Sequence, residues 1–180
     1  LAGGHITSGA HLIHLERVGG NVNYSELPFD FSNGTNANIS ALAYSELNTD
    51  DWYVLTTEKD FFYTVDGGLN WTETLGFEGP GSHYFYGASI APAKNTLGLV
   101  YVGGAGYSNP GVFRSEDHGE TFTALDEGLP NTMVFQIALS HDDSLLFAAT
   151  EVGAFVCKTW EGQWYPLADS MIPDQAFWAV

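Results

Sequence analysis

The side chains best suited to chemistry in this 180-residue chain are carboxylates, 22 of them against five lysines and arginines. Two carboxylates facing each other roughly 5 to 10 Å apart can cleave a glycosidic bond, one as acid and the other as base or nucleophile. Acids fall in candidate loops at Glu58 and Asp60, Glu78, Asp126 and Glu127, Glu151, Asp169 and Asp174. A chain this acidic places some acids in loops by chance, so no catalytic residue is assigned. Aromatic rings share those loops, at Tyr84, Tyr86, Tyr107 and Trp178. Exposed rings stack on sugar faces or anchor a protein partner, whereas rings at strand starts, such as Tyr86 and Trp178, also serve as packing. The ligand-binding candidates are therefore Tyr84, Tyr107, Asp60, Glu151 and Trp178.

Metal and cofactor chemistry find less support. His11 and His14 are three apart on a strand and point to opposite faces, and His5 and His83 have no partner at ligand spacing, so no metal ligands are assigned. Calcium is the ion best suited to the acidic turns "NTDD" (Asn48 to Asp51) and "HDD" (His141 to Asp143), but turn preference explains those residues without an ion. The stretch "GGAGYSNPG" lacks the Lys-Ser/Thr ending of a phosphate loop. The one cysteine, Cys157, lies in the strand-like "GAFVCKT" and reads as a buried, inert thiol. A formal charge of -17 repels phosphate backbones, which excludes nucleic acid and anionic membranes as partners. No apolar run approaches the roughly 20 residues that span a bilayer as a helix.

The elements that must position these residues repeat. "ISALAYSELNTDDWYVLTTEKDFFYTVDGGLNWTETL" from Ile39, "YGASIAPAKNTLGLVYVGGAGYSNPGVFRSEDHGETFTAL" from Tyr86 and "VFQIALSHDDSLLFAATEVGAFVCKTWEGQWYPL" from Val134 share one plan of four strands. The second strands, "WYVLTT", "GLVYVGG" and "LLFAAT", are nearly continuous apolar runs, as expected of strands covered on both faces. Repeats of this length match the four-stranded blades of a β-propeller. The reading gives blades over 37–77, 84–128 and 132–170, a partial blade over 1–30 holding strands two to four, and a first strand of a next or closing blade over 175–180. Because Leu1 starts inside a strand and four blades is the small limit, the whole 1–180 domain is expected to be a partial propeller of about three to four blades.

The turns before each fourth strand carry a more specific pattern. Thr64-Val65-Asp66-Gly67-Gly68-Leu69-Asn70-Trp71 and Ser115-Glu116-Asp117-His118-Gly119-Glu120-Thr121-Phe122 resemble the Asp-box, or bacterial neuraminidase repeat, and stand at blade spacing. Degenerate copies surround Gly162 and Trp164, and Gly19 and Tyr24. An Asp in such a turn accepts backbone N–H bonds, Gly68 or Gly119 supplies positive φ, and Trp71 or Phe122 packs back over the hairpin. Asp66, Gly68, Trp71, Asp117, Gly119 and Phe122 are thus structural. The resemblance implies a turn away from the ligand face, and a family holding sialidases, xyloglucanases, sortilin-like receptors and other secreted proteins. With only Arg17 and Arg114, the chain lacks the three arginines of a sialidase site. The expectation is a non-catalytic secreted or cell-surface bacterial module, binding a glycan or protein partner through its loop face. A glycoside hydrolase domain, with acids in the face loops or in blades beyond these, and a structural subunit joined to further blades or other subunits, are the alternatives.

Overall fold

Residues 2–4, 9–80, 89–167 and 176–180 are described by a computed structural model, and among them fifteen strands form four antiparallel sheets with no helix. The first sheet holds β1 (Ala2–Gly4), β2 (His11–Val18) and β3 (Asn21–Glu26). The second holds β4 (Ile39–Tyr44), β5 (Trp52–Thr56), β6 (Phe61–Thr64) and β7 (Thr72–Glu73). The third holds β8 (Ser89–Pro92), β9 (Val100–Gly103), β10 (Val112–Ser115) and β11 (Thr123–Ala124). The fourth holds β12 (Val134–Leu139), β13 (Leu145–Thr150), β14 (Gly153–Lys158) and β15 (Gln163–Pro166). Each sheet is a meander with strands in chain order, and the leading strands β1, β4, β8 and β12 touch in succession.

The sheets stack face to face, which is why their middle strands read as unbroken apolar runs. In β5, Val54 packs toward the first sheet with Leu12, Phe31 and Phe62, while Tyr53 and Leu55 pack toward the third with Phe61, Val100 and Val102. In β9, Tyr101 turns the opposite way from Val100 and Val102, into the largest cluster, where it meets Leu146, Phe155, Cys157 and Trp164. Side chains alternate with period two, so a strand between two sheets needs apolar residues at both parities.

Two of the three seams between sheets carry polar ties at the turn end. Asp51, fully buried after the β4–β5 turn, accepts from Asn48 Nδ2 at 2.7 Å and faces His118 Nδ1 of the third sheet at 2.9 Å. Asp143 accepts the Lys94 and Asn95 backbone N–H groups at 2.8 and 2.6 Å, joining the third and fourth sheets. The Asp51 and Asp143 carboxylates in the two acidic turns are thus directed to neighbouring sheets. Asp142 accepts from the Ser140 and Ser144 hydroxyls and the Ser144 N–H, which pull its carboxyl down to about 2.

The segment 176–180 differs from the expected first strand of a blade. It has no strand conformation; Phe177 N–H donates to Thr150 O at 2.9 Å and Val180 N–H to the Gln136 side chain at 3.1 Å. A strand needs a ladder of backbone partners, and these two bonds go to a strand end and a side chain. Cys157 is fully buried in β14, and burial pushes its thiol up to about 11.

Candidate functional site

The two ends of the sheets use their polar residues differently. At one end lie the turns before β7 and β11. Asp66 accepts the Asn70 side-chain amide at 2.7 Å, the Asn70 N–H at 2.9 Å and the Thr64 hydroxyl at 2.7 Å, and these bonds pull its carboxyl down to about 2. Asp117 repeats the pattern with the Thr121 hydroxyl and N–H at 2.6 and 2.9 Å and Ser115 Oγ at 2.7 Å. Burial works to raise the Asp117 carboxyl, but these bonds outweigh it and the group lies below its ordinary range. Gly68 and Gly119 have φ of +85° and +94°. Trp71 packs on Phe31 at 4.8 Å and Phe122 on Phe61 at 4.8 Å, both T-shaped. The Asp66 and Asp117 carboxylates are thus occupied by their own turns.

The opposite end carries the β5–β6, β9–β10 and β13–β14 connections. Asp60 is drawn into its own turn, where its carboxylate accepts the Thr56 hydroxyl at 3.2 Å and its carbonyl accepts the Thr56 N–H at 3.0 Å. The β9–β10 loop is held against the fourth sheet by Gly106 N–H to Thr132 O at 2.9 Å and Val134 N–H to Gly104 O at 3.0 Å. A Cβ on Gly106 would stand 2.7 Å from Thr132 O, so this close approach requires glycine. Asn109 donates to Gly79 O at 3.1 Å, fixing the loop to the segment leaving the second sheet.

That loop brings two of the predicted residues together. Tyr107 of the third sheet, 43% exposed, donates its hydroxyl to Glu151 of the fourth, in the β13–β14 turn. The Glu151 carboxylate holds the Tyr107 hydroxyl above the ordinary phenol range. Trp178, 64% exposed, stacks on Phe135 of β12 with centroids 4.2 Å apart and planes 22° from parallel. Its neighbour Phe177 bonds to Thr150, next to Glu151. Tyr107, Glu151 and Trp178 thus share one end of the third and fourth sheets, while Asp60 serves its own turn. Tyr84, with Tyr86, Asp169 and Asp174, lies outside the described residues. Sequence reading missed Phe135 and Asn109; the phase of "VFQIAL" signals that Phe135 and Val134 take opposite faces, but nothing local marks Asn109.

Among the described residues no group of three or more His, Cys, Asp or Glu is placed to hold a metal ion. A cleft of about 330 Å³ opens between the second and third sheets, lined by Leu75, Phe77, Glu78, Phe113, Thr121 and Phe122. It brings together rings and one loop acid, Glu78, apart from Tyr107 and Glu151.

No family model matches the chain, and no curated protein matches it either. Solved structures do. A GH74 enzyme of Niastella koreensis is 22% identical over 69% of this chain, with a TM-score of 0.59. The extracellular domain of a hybrid two-component system of B. thetaiotaomicron is 17% identical over 87% of this chain, with a TM-score of 0.61. YCF48, solved with a D1 peptide, is 16% identical over 82%, with a TM-score of 0.57. The fold is a partial β-propeller. Its four sheets are the blades, stacked side by side with β4, β8 and β12 leading. The chain spans 20% of the length of the first two of these structures and 45% of the third. At such identities the likeness concerns the propeller fold alone, which hosts many unrelated functions.

Proposed function

We propose that this propeller is a non-catalytic module of the Asp-box type, secreted or displayed at a cell surface, that binds a glycan or protein partner at the end carrying Tyr107, Glu151 and Trp178. The observation that carries the reading is the Tyr107–Glu151 bridge: two exposed side chains from separate blades, pre-positioned by their own bond, beside the exposed Trp178 ring. Rings of this kind supply large contact area with few rotatable bonds, and a fixed acid beside them adds direction. The occupied turns at Asp66 and Asp117 support the Asp-box assignment and a structural role at the other end. In keeping with a binding role, YCF48 is solved with a peptide, and the B. thetaiotaomicron domain is extracellular.

A hydrolase would need a second carboxylate across a cleft from Glu151; of the other loop acids, Asp60 is committed to Thr56 and Glu78 lines a separate cleft. A glycan array and affinity purification from the native source test the reading together. Tyr107→Ala with Trp178→Ala should weaken the captured partner at least about tenfold, as expected when two aromatic anchors each contribute about 1 kcal/mol or more. Capture unaffected by both changes refutes the site. Release of reducing sugar that disappears in Glu151→Gln makes the chain a glycoside hydrolase instead, and stable copurified subunits that ignore this end make it a scaffold.

A further inference from the structure

One ring position recurs in or beside the outermost strand of each sheet, three residues before the N–H that bonds back to the neighbouring strand (Leu27, Thr74, Leu125 and Leu167), and three of its four occupants turn back onto the preceding sheet. Trp71 packs on Phe29 and Phe31 in the cluster shared with Leu12 of the first sheet. Phe122 packs on Phe61 of the second sheet at 4.8 Å. Trp164, 2% exposed, donates its Nε1–H to Leu125 O, next to β11 of the third sheet, at 2.8 Å. Tyr24 holds this position in the first sheet, after the Gly19–Gly20 turn, and is 74% exposed.

The surroundings of Tyr24 match. Leu15 is paired with Tyr24, and Arg17 with Val22, so Leu15, Arg17, Val22 and Tyr24 share a face, on which Leu15 and Val22 are 52% and 65% exposed. The other face of β2 carries Leu12, fully buried against the second sheet. The hairpin from His11 to Glu26 is also close to neutral, with Glu16, Glu26 and Arg17 in a chain of net charge -17. An uncharged sheet can therefore approach here without crossing the acidic field.

We propose that the Leu15–Val22–Tyr24 face is a blade-to-blade seam, and that its occupant is a further four-stranded sheet of the same repeat, preceding the first sheet in the same polypeptide. The seam of that kind already occurs three times within the chain, each time with the ring of the later sheet against the earlier one. The related propellers are also longer, since this chain spans only 20% and 45% of two of them. The incoming sheet presents to Tyr24 what β6 presents to Phe122, an apolar side chain at the place of Phe61 on its third strand. A second copy of the chain is the poorer fit, because it brings another net charge of -17 with it.

Val22→Cys and Tyr24→Cys, made separately in the 180-residue chain and in the native gene product, test the seam by the rate of labelling with a neutral maleimide. Cys157 is buried and its thiol lies at about 11, so in the 180-residue chain the introduced thiol alone reacts, and in the native gene product its labelling is read by peptide mapping. The expected result is fast labelling in the 180-residue chain and at least tenfold slower labelling in the native gene product. Equal rates in the two overturn the proposal. Slow labelling of the 180-residue chain that speeds up on dilution overturns it too, by assigning the face to a second copy. Val22→Cys keeps the Tyr24 ring and gives the reading where Tyr24→Cys does not fold.

Discussion

Replacing Gly119 with alanine should destabilise the propeller by about 1 to 4 kcal/mol, through two separable effects. Gly119 has φ of +94°, a conformation that costs an L-residue about 1 to 2 kcal/mol. The added Cβ would also stand 2.4 Å from Phe61 Cε1. Phe61 is fully buried, with Phe122 at 4.8 Å and Phe77 at 5.9 Å, so its ring has little room to yield. Overpacking of that kind costs about 1 to 3 kcal/mol. Stiffening the unfolded chain offsets about 0.4 to 1 kcal/mol. Gly76→Ala is the matched control, with φ of +76° and nothing within 4 Å of its Cβ, so it carries the strain without the contact. Urea unfolding of both variants isolates the contact, and thermal unfolding should show Gly119→Ala melting about 2 to 16 °C below wild type. Equal destabilisation of the two, within about 0.5 kcal/mol, would refute the idea that glycine is required here by the distance between blades.

Two further outcomes follow from the polar ties. The bonds that Asp66 accepts favour its ionised form, so their contribution is in place above the ordinary carboxylate value of 3.8 and is lost as pH falls toward about 2. Melting temperature should decline between pH 4 and pH 2 in wild type and less steeply in Asp66→Asn; identical slopes would rule this out. His118→Ala leaves the buried Asp51 carboxylate with Asn48 alone and should cost about 1 to 3 kcal/mol, part of which Asp51→Asn recovers in the double variant. Strictly additive losses in that denaturation cycle would show that the two side chains are not coupled.

The fold was legible because its signals are local and repeated. The parity of "WYVLTT" and the glycine after each Asp are set by neighbours in sequence, and the stacked middle strands and positive-φ turns follow from them. The site was only half legible. Tyr107 and Glu151 were each marked as loop residues, yet their pairing spans 44 residues and depends on how far one blade is rotated from the next, which no local pattern encodes. Asp60 looked equally available, but its sequence does not reveal that Thr56 sits across a four-residue turn to engage it. The Asp51–His118 tie spans 67 residues and was invisible for the same reason. The expected strand at the end of the chain was read from "AFWAV", whose apolar character instead serves the stacking of Trp178 on Phe135.

The carboxylates at the seams bear on how the molecule answers to salt. Asp143 accepts the Lys94 and Asn95 N–H groups across one seam at 2.8 and 2.6 Å, and Asp51 faces His118 Nδ1 across another at 2.9 Å, far inside the screening length of about 8 Å at physiological ionic strength. The mutual repulsion of a chain of net charge -17 acts over longer distances through water, where mobile ions do screen it. Added salt therefore relieves the force that pushes the blades apart while leaving the bonds that join them, and the acid-rich composition makes this a fold that brine strengthens.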